Sequence, residues 1–277
     1  MVFFKMSKTV IKSRHNWKSI NLKELWEYRE LLLFLVWKDI RIRYKQSLLG
    51  AAWAVIQPFS MMVIFSVFFG RFMKVPSEGI PYPVFAYCAL VPWTYFSNSL
   101  TKATSSVIDY QGIITKVYFP RILLPLSAVL QNLFDFLIAF VLLIIMILFF
   151  NIGITPKIFL SFMFLMLMIL TAAGAGFLLS AINVEYRDVR HAITFIVQLW
   201  LFATPIAYPA SIVPERWRTL YGLNPLVGII EGFRWSLTGK SPPDIKMLSV
   251  SFLTIMILLL LGIFCFRNME KTFADVV

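Results

Sequence analysis

Two long apolar runs are separated by the stretch Asp109-Tyr110-Gln111-Gly112-Ile113-Ile114-Thr115-Lys116-Val117-Tyr118-Phe119-Pro120-Arg121. Apolar residues recur in it at helical spacing with basic residues beside them, and Pro120 would end such a helix. The pattern predicts a short amphipathic helix over about residues 110–120. Because a bland loop would be polar throughout, this apolar and basic knob indicates a docking point for another protein. A plain solvated loop is the alternative.

The composition is that of a polytopic helical membrane protein. Of the 277 residues, 59% are hydrophobic, 16% are aromatic and 14% are charged, and the mean hydropathy is +0.78. These values predict an all-α integral membrane protein and argue against a soluble domain of this length. The net charge of +12 is explained by basic residues that flank membrane spans and meet anionic lipid. The sequence shows no interleaved basic and aromatic face that would favour nucleic acid.

Residues 1–46 form a charged N-terminal arm. From Leu22 to Tyr44, apolar residues recur at helical spacing between charged ones, and Asn21 with Glu24 has the spacing of a capping box. The apolar run 31–37 is too short to cross a bilayer. We therefore expect an amphipathic helix that lies in the cytoplasmic membrane interface. A soluble helix packed on a partner protein is the alternative.

About six membrane helices are predicted, over residues 48–70, 84–107, 123–150, 158–182, 192–208 and 247–266, each near the ~20 residues that a bilayer requires. The second has a polar side, which should face a bundle interior or a watery path and consists of Thr94, Ser97, Asn98, Ser99, Thr101 and Thr104. Residues 209–245 contain apolar pieces broken by Gly and Pro. We expect short re-entrant helices there on the external side, with a folded external loop as the alternative.

Basic residues predict the orientation. If both termini are cytoplasmic, 18 of the 26 Lys and Arg lie inside and 11 of these belong to the arm. The positive-inside rule favours this arrangement. We expect a multi-pass protein of the bacterial cytoplasmic membrane, with a transmembrane domain over residues 47–267 and a cytoplasmic tail over residues 268–277. A charged cytoplasmic loop over residues 183–191 joins the fourth and fifth spans.

Signatures of an enzyme are missing from the sequence. It has two His residues and no His, Cys and carboxylate cluster with metal-ligand spacing. The segment Gly239-Lys240-Ser241 lacks the leading glycine of a phosphate-binding loop and is followed by two prolines. We expect no ATP hydrolysis, no metal and no cofactor in this chain. Gly174 and Gly176 indicate close helix packing rather than nucleotide binding.

Asp135 is the one carboxylate well inside a predicted span. An ionisable group in a membrane helix is a functional candidate by default. The alternative is that Gln131 and Asn132 satisfy it near the cytoplasmic end of the third span.

Several short motifs occur together over most of the chain. In order they are Trp37-Lys38-Asp39-Ile40-Arg41-Ile42-Arg43-Tyr44-Lys45-Gln46-Ser47-Leu48-Leu49-Gly50, Trp53, Gln57-Pro58, Leu90-Val91-Pro92-Trp93-Thr94-Tyr95-Phe96, Ile114-Thr115-Lys116-Val117-Tyr118-Phe119-Pro120-Arg121, Asn183 with Tyr186-Arg187-Asp188, Thr204-Pro205-Ile206 and Leu223-Asn224-Pro225-Leu226. Together they resemble the membrane subunit of a type 2 ABC transporter. The resemblance is to the branch that exports bacterial cell-surface polysaccharides such as O-antigen, teichoic acid and capsule.

The resemblance implies a homodimer that works with two copies of a separate ATPase, which would bind ATP and Mg. Its substrate would be a polysaccharide or lipid-linked glycan. It also implies roles for three groups of residues. The ATPase-coupling residues would be Gln111, Ile114, Lys116, Tyr118, Phe119 and Arg121, with Arg187 and Asp188 as a second contact. The residues guarding the external exit would be Asn224, Pro225, Glu231 and Arg234. The translocation path would present aromatic faces to sugar rings, from Trp53, Trp93, Tyr95, Phe96 and Trp200.

Other interpretations remain open. The aromatic residues are equally typical of the belt at a membrane interface. A type 2 ABC permease for a drug or lipid would carry similar motifs. A membrane-embedded glycosyl- or acyltransferase would need an acid and base pair that the sequence does not offer. A secondary transporter would need charged residues inside its helices, and Asp135 is the single candidate.

Overall fold

The computed structural model describes residues 22–45, 50–153, 155–271 and 273, and these form helices and connecting turns without a strand. The predicted all-α class is confirmed. The helices are α1 (Leu22–Glu27), α2 (Arg29–Lys45), α3 (Trp53–Phe65), α4 (Tyr82–Asp109), α5 (Gln111–Ile114), α6 (Leu123–Phe149), α7 (Ile158–Glu185), α8 (Val189–Phe202), α9 (Glu215–Tyr221), α10 (Pro225–Thr238) and α11 (Ile245–Met269). The 3₁₀ turn Gly50–Ala52 precedes α3, the π-helix Ser66–Phe72 continues it, and a second 3₁₀ turn covers Ala210–Ile212.

Four helical segments in the described part of the chain are long and apolar enough to cross a membrane. They are Gly50–Phe72, α6, α7 and α11. The predicted second span, α4, has 28 residues but a polar side, and the predicted fifth span, α8, has only 14 residues. A 28-residue helix is about 42 Å long, so α4 and α7 exceed the ~30 Å hydrocarbon layer. The total of six spans stays a prediction.

Several predicted boundaries differ from the structure by two residues or more, most clearly those around α8. Helix α7 continues to Glu185 and α8 begins at Val189, so the predicted loop over residues 183–191 is a turn of residues 186–188. The loop was mispredicted because the amide of Asn183 lies inside the bundle, where it donates to the Thr104 carbonyl at 2.9 Å. Helix α8 ends at Phe202 rather than at residue 208, since Pro205 disfavours helical backbone at the preceding residue. Asn21 of the predicted capping box, the predicted span start at residue 48, and residues 272 and 274–277 of the tail lie outside the described residues.

Helix α4 forms the centre of the bundle. It packs against α3, α6, α7, α8 and α10, and its residues 84–93 are all buried. The polar side of α4 faces the interior, as predicted, and two of its members, Ser99 and Thr104, are fully buried. Helices α7 and α11 approach so closely that a Cβ on Gly262 would lie 2.1 Å from the Gly174 carbonyl oxygen. A Cβ on Gly176 would lie 2.8 Å from Ala103 of α4. The predicted close packing at Gly174 and Gly176 is confirmed.

The arm is split at Tyr28 into α1 and α2, and α2 packs along α6. Leu35 is its one residue that is described as buried. Several large apolar side chains face outward instead, namely Trp26, Leu33, Phe34, Trp37 and Ile42. The arm therefore has apolar residues on both sides, which suits a helix between a protein surface and lipid. Its place in the membrane interface stays a prediction.

A second hydrophobic cluster joins four parts of the chain at one end of the bundle. It contains Leu35 of the arm, Val107, Ile114 and Phe119 around α5, Phe177 and Val184 of α7, and Phe266 and Phe273 near the C-terminus. Tyr110 adds a polar link, since its hydroxyl donates to Asp39 of the arm at 2.5 Å. Burial and, secondarily, the hydrogen bond to Asp39 raise the pKa of Tyr110, so the phenol stays protonated as the donor.

Candidate functional site

The predicted helix over residues 110–120 is much shorter than expected. Helix α5 ends at Ile114, and residues 115–122 follow as turns. The prediction was wrong in extent because Ile114 and Phe119 are both buried, with 6% and 5% exposure. Turning both side chains into the second hydrophobic cluster requires the backbone to leave the helical path before it reaches Pro120.

The remaining apolar residues of this stretch form an exposed surface. Ile113, Val117 and Tyr118 are 41%, 58% and 64% exposed, and Lys116 is exposed between them. We call these four residues the coupling surface. The buried side chains of Ile114 and Phe119 anchor the coupling surface to the second hydrophobic cluster. The apolar and basic knob that the sequence predicts is therefore present, although its helix is a single turn.

The other predicted coupling residues are divided between internal bonds and exposure. Arg121 is bonded within the molecule, since its backbone N–H donates to Glu270 Oε1 at 2.9 Å and its Nη1 to the Glu270 carbonyl at 2.6 Å. Gln111, Arg187 and Asp188 are exposed. The Asn183 bond to Thr104 places the turn 186–188 at the same end of the bundle as the coupling surface.

Asp135 is held by the arm. Its carboxylate accepts a hydrogen bond from Tyr44 and forms an ion pair with Arg43 at 2.5 Å. The predicted partners were wrong, because Asn132 accepts from Arg43 at 3.0 Å and donates to its own helix at the Ala128 carbonyl. Burial, followed by the bond to Asp135, raises the pKa of Tyr44. Asp135, the only carboxylate within the predicted third span, therefore links α6 to the end of α2.

A cavity of about 710 Å³ lies between the end of α2 and helices α3, α4, α6 and α8. Of the five predicted path residues, Trp53, Trp93 and Tyr95 line it, whereas Phe96 and Trp200 do not. Phe96 is fully buried and packs edge-on against Trp200, with ring centroids 5.4 Å apart. Trp53 is 56% exposed, but Trp93 and Tyr95 are only 4% and 3% exposed. Within one chain, Trp53 is therefore the accessible aromatic face.

Hydroxyl and amide side chains supply most of the polar lining of this cavity. They are Gln57, Thr94, Ser97, Asn98, Thr101, Ser105, Asn132, Thr194 and Gln198. Ser97 and Thr101 donate to carbonyls of their own helix. The amides of Gln57, Asn98 and Gln198 make no hydrogen bond to any residue that the structure describes. An amide both donates and accepts, so these three can bind a ligand rich in hydroxyl groups.

Sequence reasoning predicted part of the cavity lining, on α3 and α4, and missed the rest. The polar side of the predicted second span pointed to Asn98. Gln198 was not singled out, Gln57 was noted only as part of the Gln57-Pro58 motif, and Arg43, Lys102 and Arg190 looked like ordinary flanking charges. The signals for the cavity in the sequence were thus the polar residues on α4 and the three predicted path residues Trp53, Trp93 and Tyr95.

Asn224 organises the other end of the bundle, before α10. Its Oδ1 accepts from the Leu226 N–H and from Trp200 Nε1, both at 3.1 Å. Its Nδ2 donates to Thr204 Oγ1 at 3.1 Å and to the Ala203 carbonyl at 3.2 Å. Asn224 therefore caps α10 and joins it to the end of α8, while Pro225 occupies the first helical position, where its missing N–H costs nothing.

Replacing Asn224 with Ala is expected to lower the stability of the protein by about 1–2 kcal/mol, because the helix cap and the bonds to α8 are lost together. The measurement is the apparent Tm of the purified chain in detergent. Asn224→Asp is the matched control, since it keeps the accepting oxygen and loses the two donated bonds. Its Tm should lie between those of the wild type and the Ala variant. Equal Tm values for all three proteins would contradict the role of Asn224.

Glu231 and Arg234 form a buried ion pair on α10. Their side chains are 7% and 2% exposed, and Arg234 Nη1 donates to Glu231 Oε1 at 2.8 Å. Arg234 Nη2 also donates to the Pro205 carbonyl at 2.9 Å, and its guanidinium lies 3.7 Å from the centre of the Phe85 ring. Glu231 Oε1 accepts from the Ala210 N–H at 3.2 Å. Asn224, Glu231 and Arg234 therefore link α10 to the segment 200–210 and to α4, while Pro225 is buried in the first turn of α10.

Comparison with known proteins decides the family. Residues 30–238 match the profile of the ABC-2 type transporter membrane family. The chain belongs to this family. It is therefore a multi-pass membrane protein, and the predicted short helices before the last span lie within the matched region, as does the coupling surface.

Several proteins named for transport have sequences similar to this chain along most of its length. An O-antigen export system permease protein RfbA of Myxococcus xanthus is 30% identical over 257 residues, which cover 92% of this chain and 98% of that protein. An O-antigen export system permease protein RfbA of Klebsiella pneumoniae is 29% identical, with 89% and 95% covered. The polysialic acid transport protein KpsM of Escherichia coli is 22% identical, with 86% and 92% covered.

Proposed function

We propose that this chain is the permease subunit of an ATP-driven exporter that moves a cell-surface polysaccharide, free or lipid-linked, across the bacterial cytoplasmic membrane. It acts as a homodimer with two copies of a separate ATPase that binds ATP and Mg. The proposal is supported by membership of the ABC-2 family and by similarity along most of the chain to permeases named for O-antigen and polysialic acid. Both termini are placed in the cytoplasm by the distribution of basic residues.

The proposed partnership with an ATPase is supported mainly by the exposure of the coupling surface and the burial of the residues next to it. Ile113 and Val117 are exposed, whereas Ile114 and Phe119 on the same stretch are buried in the second hydrophobic cluster, which also contains residues of α7 and α11. A protein that binds the exposed residues and moves would push the ends of α4 and α6 directly. ATP can drive this movement because it binds one state of the ATPase pair more tightly than the other.

The lining of the cavity favours a polysaccharide over a drug or a lipid. Ligand pockets in general are lined mostly by apolar and aromatic side chains, and the few polar groups among them give the specificity. Here the amides of Gln57, Asn98 and Gln198 face the cavity together with hydroxyl groups, and Trp53 offers one exposed ring. Sugars present hydroxyl groups and apolar ring faces, which these side chains suit.

The docking proposal is tested by the double variant Ile113→Ser and Val117→Ser. Each substitution removes an aliphatic side chain worth about 1.5–3 kcal/mol when buried in an interface, so we expect the affinity for the ATPase of the same operon to fall by about 100-fold or more. The measurement is co-purification with the ATPase and substrate-stimulated ATP hydrolysis. Phe119 is unsuitable for this purpose because it is buried, and its removal would disturb the bundle.

The matched control is Ile212→Ser with Ile245→Ser, two exposed aliphatic residues at the opposite end of the bundle. The control should retain the complex. An unchanged complex in the Ile113 and Val117 variant would move docking to the arm or to the turn 186–188. Failure of every variant and of the wild type to bind the ATPase would overturn the proposal itself.

A further inference from the structure

The C-terminal tail is bonded to the segment that follows the coupling surface. The backbone N–H of Arg121 donates to Glu270 Oε1 at 2.9 Å, and Arg121 Nη1 donates to the Glu270 carbonyl at 2.6 Å. Each side chain is thus bonded to the backbone of the other residue, across 149 positions of the chain. Because Arg121 follows Tyr118 closely in the sequence, this double contact lies next to the coupling surface.

The double contact joins the ends of two helices. Arg121 lies just before α6, whose N-cap residue makes no side-chain cap bond and whose first turn has no acidic residue. Glu270 is the residue at which α11 ends. A carboxylate stabilises a helix N-terminus and a guanidinium stabilises a helix C-terminus, since each complements the partial charge of the unpaired backbone groups there. Glu270 therefore stabilises the start of α6, and Arg121 stabilises the end of α11.

Phe273 holds the tail to the bundle. Its N–H donates to the Glu270 carbonyl at 3.4 Å, its side chain is fully buried, and its ring meets that of Phe266 edge-on with centroids 5.3 Å apart. It belongs to the second hydrophobic cluster together with Phe119 and Ile122. The polar contact between Arg121 and the tail is therefore accompanied by apolar packing of the same two segments in one cluster.

The other flank of the coupling surface is bonded to the arm. Tyr110 donates to Asp39 at 2.5 Å, and Lys38 Nζ lies 4.1 Å from the centre of the Tyr110 ring. The coupling surface is consequently the exposed part of a short bridge, which the arm fixes at residue 110 and the tail fixes at residue 121. A surface that is fixed before it meets its partner loses less conformational freedom on binding, so it binds more tightly.

We propose that Glu270 and Phe273 are positioning residues that hold the coupling surface in the conformation that binds the ATPase. They act through Arg121 and Phe119 rather than by contact with the ATPase. The proposal rests on the proposed export function and adds the tail to the parts of the chain that serve it. Without the tail contact, the binding conformation is populated for only a fraction of the time. The apparent dissociation constant for the ATPase then rises in inverse proportion to that fraction.

The first test compares Glu270→Ala with Glu270→Gln and Lys271→Ala in the full-length chain in lipid nanodiscs. Ala removes the acceptor of the Arg121 N–H, Gln keeps an accepting oxygen, and Lys271 is the exposed neighbour that serves as the matched control. Hydrogen exchange of residues 119–124 should be about tenfold faster in Glu270→Ala, because a hydrogen bond to a charged group is lost. Glu270→Gln should recover most of this difference, and exchange in α7 should be the same in all four proteins.

The second test titrates the ATPase of the same operon against each chain and measures substrate-stimulated ATP hydrolysis. We expect the apparent dissociation constant to rise about tenfold in Glu270→Ala, while hydrolysis at saturating ATPase stays at the wild-type level. A loss of folded protein would lower that maximal rate instead of the affinity.

An unchanged dissociation constant in Glu270→Ala, a loss that Glu270→Gln does not restore, or an equal loss in Lys271→Ala would overturn the positioning role of the tail. Failure of the wild-type chain to bind the ATPase would instead overturn the proposed function. The two failures are distinguishable because the first requires a wild-type complex and the second is its absence.

Discussion

Replacing Arg234 with Met while Glu231 is kept is expected to destabilise the protein by about 3–5 kcal/mol, because an unpaired carboxylate is left in the interior. Glu231 and Arg234 are almost completely buried, and Arg234 also donates to the Pro205 carbonyl. The loss of Arg234 therefore removes the partner of the carboxylate and the link between α10 and the chain after α8. The measurement is the fraction of protein that remains monodisperse after heating in detergent. The apparent Tm is the temperature at which this fraction falls to half.

The double variant Glu231→Gln with Arg234→Met separates charge from packing. The Gln side chain keeps an oxygen that can accept from the Ala210 N–H, and no charge remains in the interior. We expect this protein to recover most of the stability that the single variant loses, since replacing both members of a buried pair is often nearly neutral. A single variant as stable as the double one would show that the buried charge is not the cause.

Replacing Gly262 with Leu is expected to prevent the normal packing of α7 against α11. A Cβ at this position would lie 2.1 Å from the Gly174 carbonyl oxygen, and the atom it meets belongs to the backbone rather than to a flexible side chain. Overpacking a well-filled contact costs about 1–3 kcal/mol, and a backbone clash of this depth should exceed that range. We expect the yield of monodisperse protein to fall to a small fraction of that of the wild type.

The matched control for Gly262 is Gly112→Ala. Nothing lies within 4 Å of a Cβ at Gly112, and Ala has the higher helix propensity, so its yield and Tm should equal or slightly exceed those of the wild type. The same result for Gly262→Ala would mean that the two helices separate easily, and the close approach would then not be needed for folding.

Much of the site could be predicted from the sequence, but only as residue types at positions. The sequence predicted the coupling surface because Ile113, Val117 and Tyr118 lie in the polar stretch that separates two long apolar runs. Its helix was overestimated because periodicity cannot show that Ile114 and Phe119 turn inward. Similarly, Trp93 and Tyr95 were identified as aromatic path residues, and only packing revealed how little of their rings is accessible.

The sequence by itself determined the membrane class, the long helices, the polar side of α4 and the motifs of the ABC-2 family. These are properties of single segments, set by the length and period of apolar runs. Only the tertiary structure decided that Asp135 pairs with Arg43, 92 positions away, that Asn224 joins α8 to α10, and that residues of α2, α3, α4, α6 and α8 line one cavity. Such contacts depend on how helices distant in the chain pack together, and no local pattern in one segment specifies which side chain of another it will meet.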